Sequence, residues 1–303
     1  MLLQEQYYKQ PPTHTQVKGG LFALKGQYPG LCKVFSIGRS VLGRELYAVA
    51  VGETRGATLF VGGTHGLEWL TTLLMLRFLD DLLYSIAQNK PLAEIDVKKS
   101  MERRGVIILP ALNPDGIEIA LRGSAGAMNM GDKVEEICGG DYALWQANAR
   151  GVDINHNFDA GWEILHQMEL DAGITGPAPT RFGGYRHTSE PETRAICGFC
   201  RGFQIRQAYS FHSQGEEIYY KYGEHTPSRS RLMAQLLATS SGYKLMTQEG
   251  LASHGGFKDW FIDKLRRPAF TIEIGKGKNP LPADDLLPVY YKLQEMLVLA
   301  LLL

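Results

Sequence analysis

Charge of one sign is missing from this chain. Across 303 residues, 32 Lys and Arg offset 32 Asp and Glu, so the total carries none of the broad positive field on which nucleic-acid or anionic-membrane binding rests. Cysteine is scarce too. Cys32, Cys138, Cys197 and Cys200 are too few to brace a chain of this length as a disulfide scaffold, which agrees with a reducing compartment. Cys197 and Cys200 have the spacing of a redox pair or half a zinc site, but no second CxxC accompanies them. The segment TRAICGFCRGF follows a helix-start signal, so they read as buried helical thiols. Long apolar runs are also lacking: in the richest stretch, Leu286 to Leu303, Lys292, Gln294 and Glu295 interrupt the pattern well short of the ~20 residues a membrane span requires. A terminal helix packed on the core is expected instead. The opening MLLQEQYYKQPPTHTQ has no basic patch followed by an apolar run, so no secretory signal is read and a cytoplasmic protein is expected.

Strand-like and helix-like runs alternate. ELYAVAVG and ATLFVGG precede the helical WLTTLLMLRFLDDLLYSIAQ, and the strand GVIILPAL follows, an order that marks an α/β sheet. Later, QAYSFHS, EEIYYKY and PAFTIEIG read as strands, and RLMAQLLATSSG as a helix stopped by Gly242. The Gly/Pro/Ala stretch 172–184 has a linker's composition, but candidate site residues fall on both sides of it, so it reads as a surface loop. The expectation is one catalytic domain, 1–303, with 1–20 as an N-terminal extension.

Ligands of α/β sheets gather at the carboxyl ends of strands, and there the chemistry-bearing residues lie. His65 and Glu68 follow ATLFVGG at the entry to a long helix, three residues apart and able to face one point. Zinc accepts imidazole nitrogen and carboxylate oxygen, and a catalytic zinc site needs three protein ligands beside an open position. His212, at the end of the strand QAYSFHS, is the third candidate. His14, His166, His187 and His225 have no evident second ligand near them in the sequence. Either half of the set, taken alone, also fits a solvated helix start or a hydrogen-bonded strand end.

The ordered segments GGTHGLEW, LNPDG, RGVDINHNF, SEPETRA, SFHSQG, GGFKDW and FTIEIG resemble the zinc metallocarboxypeptidase family typified by carboxypeptidase A. The resemblance covers most of the chain, and its order makes it specific. It implies a three-layer α/β/α fold with a mixed central sheet of roughly eight strands, one zinc held by His65, Glu68 and His212, and Glu273 as catalytic base. Glu273 is a charge inside the apolar run FTIEIG; an ion pair with Arg266 or Arg267 is the competing reading.

Departures from the family pattern bear on the substrate. The asparagine–arginine pair that grips a free C-terminus is here Asn155-His156, and histidine lacks the bidentate fork. The oxyanion arginine after a tryptophan is replaced by Gln146, an uncharged donor, with Arg150 as a second candidate. The capping tyrosine falls on Leu251, with His254 nearby as a substrate contact, and the residue at the pocket floor is Lys258. A lysine there favours a carboxylate on the incoming side chain, whereas pairing with Asp259 would make it structural. Together with the tail EIGKGKNPLP, these substitutions resemble the bacterial γ-D-glutamyl-diamino acid peptidase branch. The resemblance implies cleavage between γ-linked D-glutamate and a diamino acid such as meso-diaminopimelate, in a soluble muropeptide, with no nucleic-acid or membrane partner. Ordinary carboxypeptidase action, deacylation of small N-acyl amino acids, and an inactive peptide-binding relic are the alternatives.

Overall fold

The computed structural model describes residue 3, residues 5–246 and residues 254–303; the Leu251 position considered above lies outside the described residues. Eight strands form one sheet: β1 (Cys32–Arg39), β2 (Glu45–Val51), β3 (Thr58–Val61), β4 (Val106–Leu109), β5 (Gln207–Ser213), β6 (Glu217–Tyr219), β7 (Lys244–Met246) and β8 (Ala269–Ile274). Their spatial order is β1-β2-β4-β3-β5-β8-β6-β7. The central β4, β3, β5 and β8 run parallel, and antiparallel pairings join them to β2 on one side and β6 on the other.

Ten α-helices are described: α1 (His14–Gln27), α2 (Leu70–Gln88), α3 (Val97–Met101), α4 (Pro114–Arg122), α5 (Gly131–Cys138), α6 (Trp162–Asp171), α7 (Pro191–Gly202), α8 (Ser230–Ser241), α9 (Phe257–Leu265) and α10 (Leu286–Leu302). The period-2 alternation of the strands divides them between two cores. Val49, Val51, Phe60, Ile108, Phe211 and Ile272 pack with α1, α2, α8 and α10 on one face. Ala48, Ala50, Leu59, Val61, Ile107 and Ala208 pack with α7 and α9 on the other. Helices on both faces of a mixed eight-stranded sheet are the three-layer architecture expected from the segments.

Three expectations need adjusting. The boundary at residue 20 cuts through α1, which Thr13 starts with a capping box and whose Val17, Leu21 and Leu24 are buried; the first 20 residues are therefore not an appendage. Neither β1 nor β7 was legible, because each lies at a sheet edge and has only one neighbour to bury it, so no long apolar run is required. EEIYYKY forms a strand only over Glu217–Tyr219. Gly242 does end α8 in the left-handed conformation that favours glycine, and Leu286–Leu302 forms α10. No helix among the described residues is long and apolar enough to cross a membrane.

Candidate metal centre and active site

Three parallel strands deliver the site to one edge of the sheet. His65 follows β3, His212 lies near the end of β5, and Glu273 near the end of β8. His212 and Glu273 are direct partners in the β5–β8 register, so both project to the α7/α9 face while Phe211 and Ile272 fill the opposite core. After β3 the chain makes a short 3-10 turn, Gly66–Glu68, before α2 begins. That turn brings His65 and Glu68 together rather than stacking them on one helix face.

The ligating atoms of His65, Glu68 and His212 lie within 4.8 Å of one another, and all three residues are buried. Glu68 Oε1 is 2.8 Å from His65 Nδ1, and Glu68 Oε2 is 3.2 Å from His212 Nδ1. The two Nδ1 atoms stand 3.3 Å apart. Each imidazole is held from behind through its other nitrogen: His65 Nε2 by Asp153 Oδ1 at 3.2 Å and His212 Nε2 by Ser210 Oγ at 3.0 Å. Two imidazoles that turn the same nitrogen toward one carboxylate, each with its remaining nitrogen tethered, form a donor set that fits a divalent cation such as zinc.

The electrostatics point the same way. Burial opposes charge on Glu68, yet His65 and then His212 outweigh it and bring the carboxyl down to about 2. Burial likewise opposes charge on Asp153, and His65 and His156 pull it well below the usual carboxylate range. Burial also works against a charged His65, but Glu68 and Asp153 raise it well above its ordinary value. Glu273 goes the other way: burial first, then the Glu68 carboxylate, push it well above the carboxylate range. A bound cation is often the largest local charge and reverses that balance. No ion pair joins Glu273 to Arg266 or Arg267 among the described residues; Arg267 instead donates to the Ile205 carbonyl.

The cleft in front of these groups holds about 840 Å³. Gln146, Asn155, His156, His254 and Lys258 all line it. Gln146 Oε1 accepts from the Thr180 hydroxyl and Asn155 Oδ1 from Phe257 N, which turns each amide nitrogen toward donation. The His156 ring is occupied: its Nδ1 donates to Glu169 Oε1 and to the Arg181 carbonyl, both at 2.9 Å. His254 Nδ1 is 3.1 Å from the Tyr222 hydroxyl. Lys258 is buried, with its ammonium on the Asp259 carboxylate and 3.0 Å from the Lys221 carbonyl. The pairing with Asp259 is what the structure holds, in the interior rather than in solvent.

Arg150 is not brought to the cleft: its guanidinium reaches Glu190 at 3.4 Å. Cys197 and Cys200 are buried free thiols of α7, and burial pushes Cys197 up to about 12 and Cys200 well above its ordinary value. They are structural, as expected.

Two other motifs act as scaffolding. Asn113 of LNPDG caps α4 and donates to the carbonyls of Thr64, Gln146 and Ala147. Asp115 takes Arg44 at 2.7 Å, while Glu190 and Glu192 of SEPETRA both accept from Asn148.

Asp153, Ser210, Arg181 and Lys278 also shape or line the site and were not singled out from the sequence. Asp153 stands two residues before Asn155 in RGVDINHNF, but its partner His65 is 88 residues away, and nothing local connects them. Arg181 and Lys278 look like ordinary loop cations until the cleft is assembled.

The zinc carboxypeptidase family matches residues 20–296. Gamma-D-glutamyl-L-diamino acid endopeptidase 1 of Lysinibacillus sphaericus is 28% identical over 256 residues, 84% of this chain and 63% of the relative. This chain thus spans under two thirds of that enzyme's length. The uncharacterized protein YqgT of Bacillus subtilis (strain 168) is 31% identical over 258 residues, 84% of this chain and 68% of the relative. Among solved structures, that of thrombin activatable fibrinolysis inhibitor superimposes with a TM-score of 0.76 at 21% identity, covering 98% of this chain and 75% of that one; this likeness bears on the fold. With the family matched over nearly the whole chain and a histidine–glutamate–histidine cluster that could hold a metal assembled at the carboxyl ends of its strands, the chain belongs to the zinc carboxypeptidase family.

Proposed function

We propose that this metallopeptidase cuts the amide bond between γ-linked D-glutamate and a diamino acid in soluble peptidoglycan-derived peptides, acting in the cytoplasm. His65, Glu68 and His212 are the metal ligands and Glu273 the catalytic base. The observation that carries the substrate reading is His156: where carboxypeptidases place a clamping arginine, a half-buried imidazole stands with its Nδ1 held by Glu169 and the Arg181 carbonyl. The similarity to a γ-D-glutamyl-L-diamino acid endopeptidase supports the same reading.

His65, Glu68 and His212 would hold a zinc ion, which would supply Lewis acidity and make the attacking water more acidic. Glu273, on the same face as His212, accepts the proton of the attacking water and returns it to the leaving amine. Asp153 and Ser210 hold the imidazoles in the tautomers that present Nδ1. Gln146 offers its amide N–H to the carbonyl oxygen of the scissile bond, as a neutral donor in place of a charged one. Asn155, through its own N–H groups, and His254 orient the peptide.

The test is incubation of the zinc-loaded protein with L-Ala-γ-D-Glu-meso-diaminopimelate, its α-linked isomer and an N-acetyl amino acid, read by mass spectrometry. Release of diaminopimelate from the γ-linked peptide alone is the expected result. Cutting of the α-linked peptide alone makes the chain an ordinary carboxypeptidase. Release of acetate makes it a deacylase, and no product makes it a binding relic.

A further inference from the structure

Most cations near the cleft are already committed. Lys258 is held by Asp259 and Arg150 by Glu190, and the Nδ1 of His156 is taken by Glu169. Two others that line the cleft, Arg181 and Lys278, are exposed and have no carboxylate partner among the described residues. They differ in how they are built in. Lys278 lies in the glycine-rich run after β8. Arg181 is pinned: its N–H donates to Asp153 Oδ2 at 3.1 Å, the same carboxylate whose other oxygen holds His65, and its carbonyl accepts from His156. Its backbone sits at φ 68°, in the left-handed region that disfavours a side chain. Such strain is kept where surrounding contacts impose it, often at functional sites.

We propose that Arg181 is the specificity-determining cation of this site and binds the α-carboxylate of the residue on the leaving side of the cut. This assignment rests on the cleft being a peptide site. A planar guanidinium grips a carboxylate through two parallel hydrogen bonds, which a lysine cannot do. Arg181 thus offers the bidentate fork that the His156 imidazole lacks, from a different loop but against the same Asp153 frame.

The experiment measures binding by calorimetry to the zinc-loaded Glu273→Gln protein, which holds peptides without turnover. The probes are L-Ala-γ-D-Glu-meso-diaminopimelate and its α-linked isomer, each as the free acid and as the carboxamide of the leaving residue's α-carboxylate. Arg181→Gln and Arg181→Gly are each expected to weaken the free acid about tenfold or more and leave the amide unchanged, with Arg181→Lys in between. The glycine variant relieves the positive φ, so an undiminished Tm shows that the loss is not one of folding.

A preference for acid over amide that survives both variants overturns the proposal. So does its absence from the parent protein, or its loss only in Lys278→Gln. The γ-linked against α-linked comparison reports separately on the substrate class. The Arg181 effect can therefore hold on α-linked peptides even if the γ-glutamyl reading fails.

Discussion

Glu273 occupies the kind of position a sequence normally fills with an aliphatic residue, between Ile272 and Ile274 near the end of β8. A carboxylate kept there, with no ion-pair partner among the described residues, is costly unless something positive faces it, and the nearby Glu68 and Glu217 carboxylates make matters worse. Glu273→Gln mimics the protonated group that this environment favours. The variant is expected to keep its zinc content and at least its metal-free Tm, while kcat falls by several powers of ten because an amide cannot take a proton. Near-normal turnover would remove Glu273 from the chemistry. Asp153 acts one contact further out. Asp153→Asn leaves an acceptor for His65 but no charge, and outer partners of metal-bound histidines are typically worth about 10–100-fold in metal affinity. Competition with a chromophoric chelator should show zinc affinity falling within that range; an unchanged affinity would reduce Asp153 to the cap of the 3-10 turn Ile154–His156, where it accepts from Asn155 N.

At the scale of elements, the site depends on how tightly the β3–α2 connection is packed. Gly66 lies where a Cβ would come 2.3 Å from the Gly116 carbonyl oxygen and 2.8 Å from that of Trp145. Its N–H donates to the Gln146 carbonyl at 3.0 Å. Those neighbours are backbone and cannot swing aside, so Gly66→Ala must displace the turn that carries His65 and Glu68. Forcing atoms into a packed site of this kind costs ~1–3 kcal/mol. Denaturant unfolding is expected to show that loss, together with reduced zinc content after purification. Wild-type values for both would mean that the turn can move without harm. The β5–β8 pairing is equally demanding, since a slip of one residue would turn His212 into the opposite core.

At the scale of the whole molecule, a buried polar junction joins the edge of the sheet to the loops behind the site. Asp115 of α4 accepts from Ser40, Leu42 N and Arg44 in the β1–β2 turn. Glu192 of α7 accepts from Val41 N in the same turn and from Asn148. Burial, then Asp115, raise Glu192 from 4.5 to about 8. Between those values the folded protein keeps a proton that the unfolded chain has released, so this group makes stability fall as pH rises through that window. Glu192→Gln keeps an acceptor for Val41 N and removes the titration. Unfolding free energies measured from pH 5 to pH 8.5 should decline less steeply in the variant than in the parent, whereas parallel curves would show that Glu192 is already ionised. We propose, further, that the chain is one catalytic unit. The sheet draws strands from before and after the 172–184 loop, and the candidate ligands come from both sides of it.

The sequence by itself determined the class of fold, through alternating strand and helix patterns, and marked candidate residues for the chemistry: a histidine and a glutamate three apart after a strand, and a lone carboxylate in an apolar strand. These are short-range signals, set by periodicity and residue type. The tertiary structure decided what each polar group is free to do. Lys258 and Arg150 look alike as candidate cations in the sequence, yet one is buried against Asp259 and the other turned onto Glu190. Asp153 joins the candidate metal centre only when β3 brings His65 to it across 88 residues. Arg181 gains its place because Asp153 and His156 fix its backbone at the mouth of the cleft. The physical reason is range: periodicity and residue type act over a few neighbours, whereas desolvation and charge pairing depend on every group packed nearby, whatever its distance along the chain.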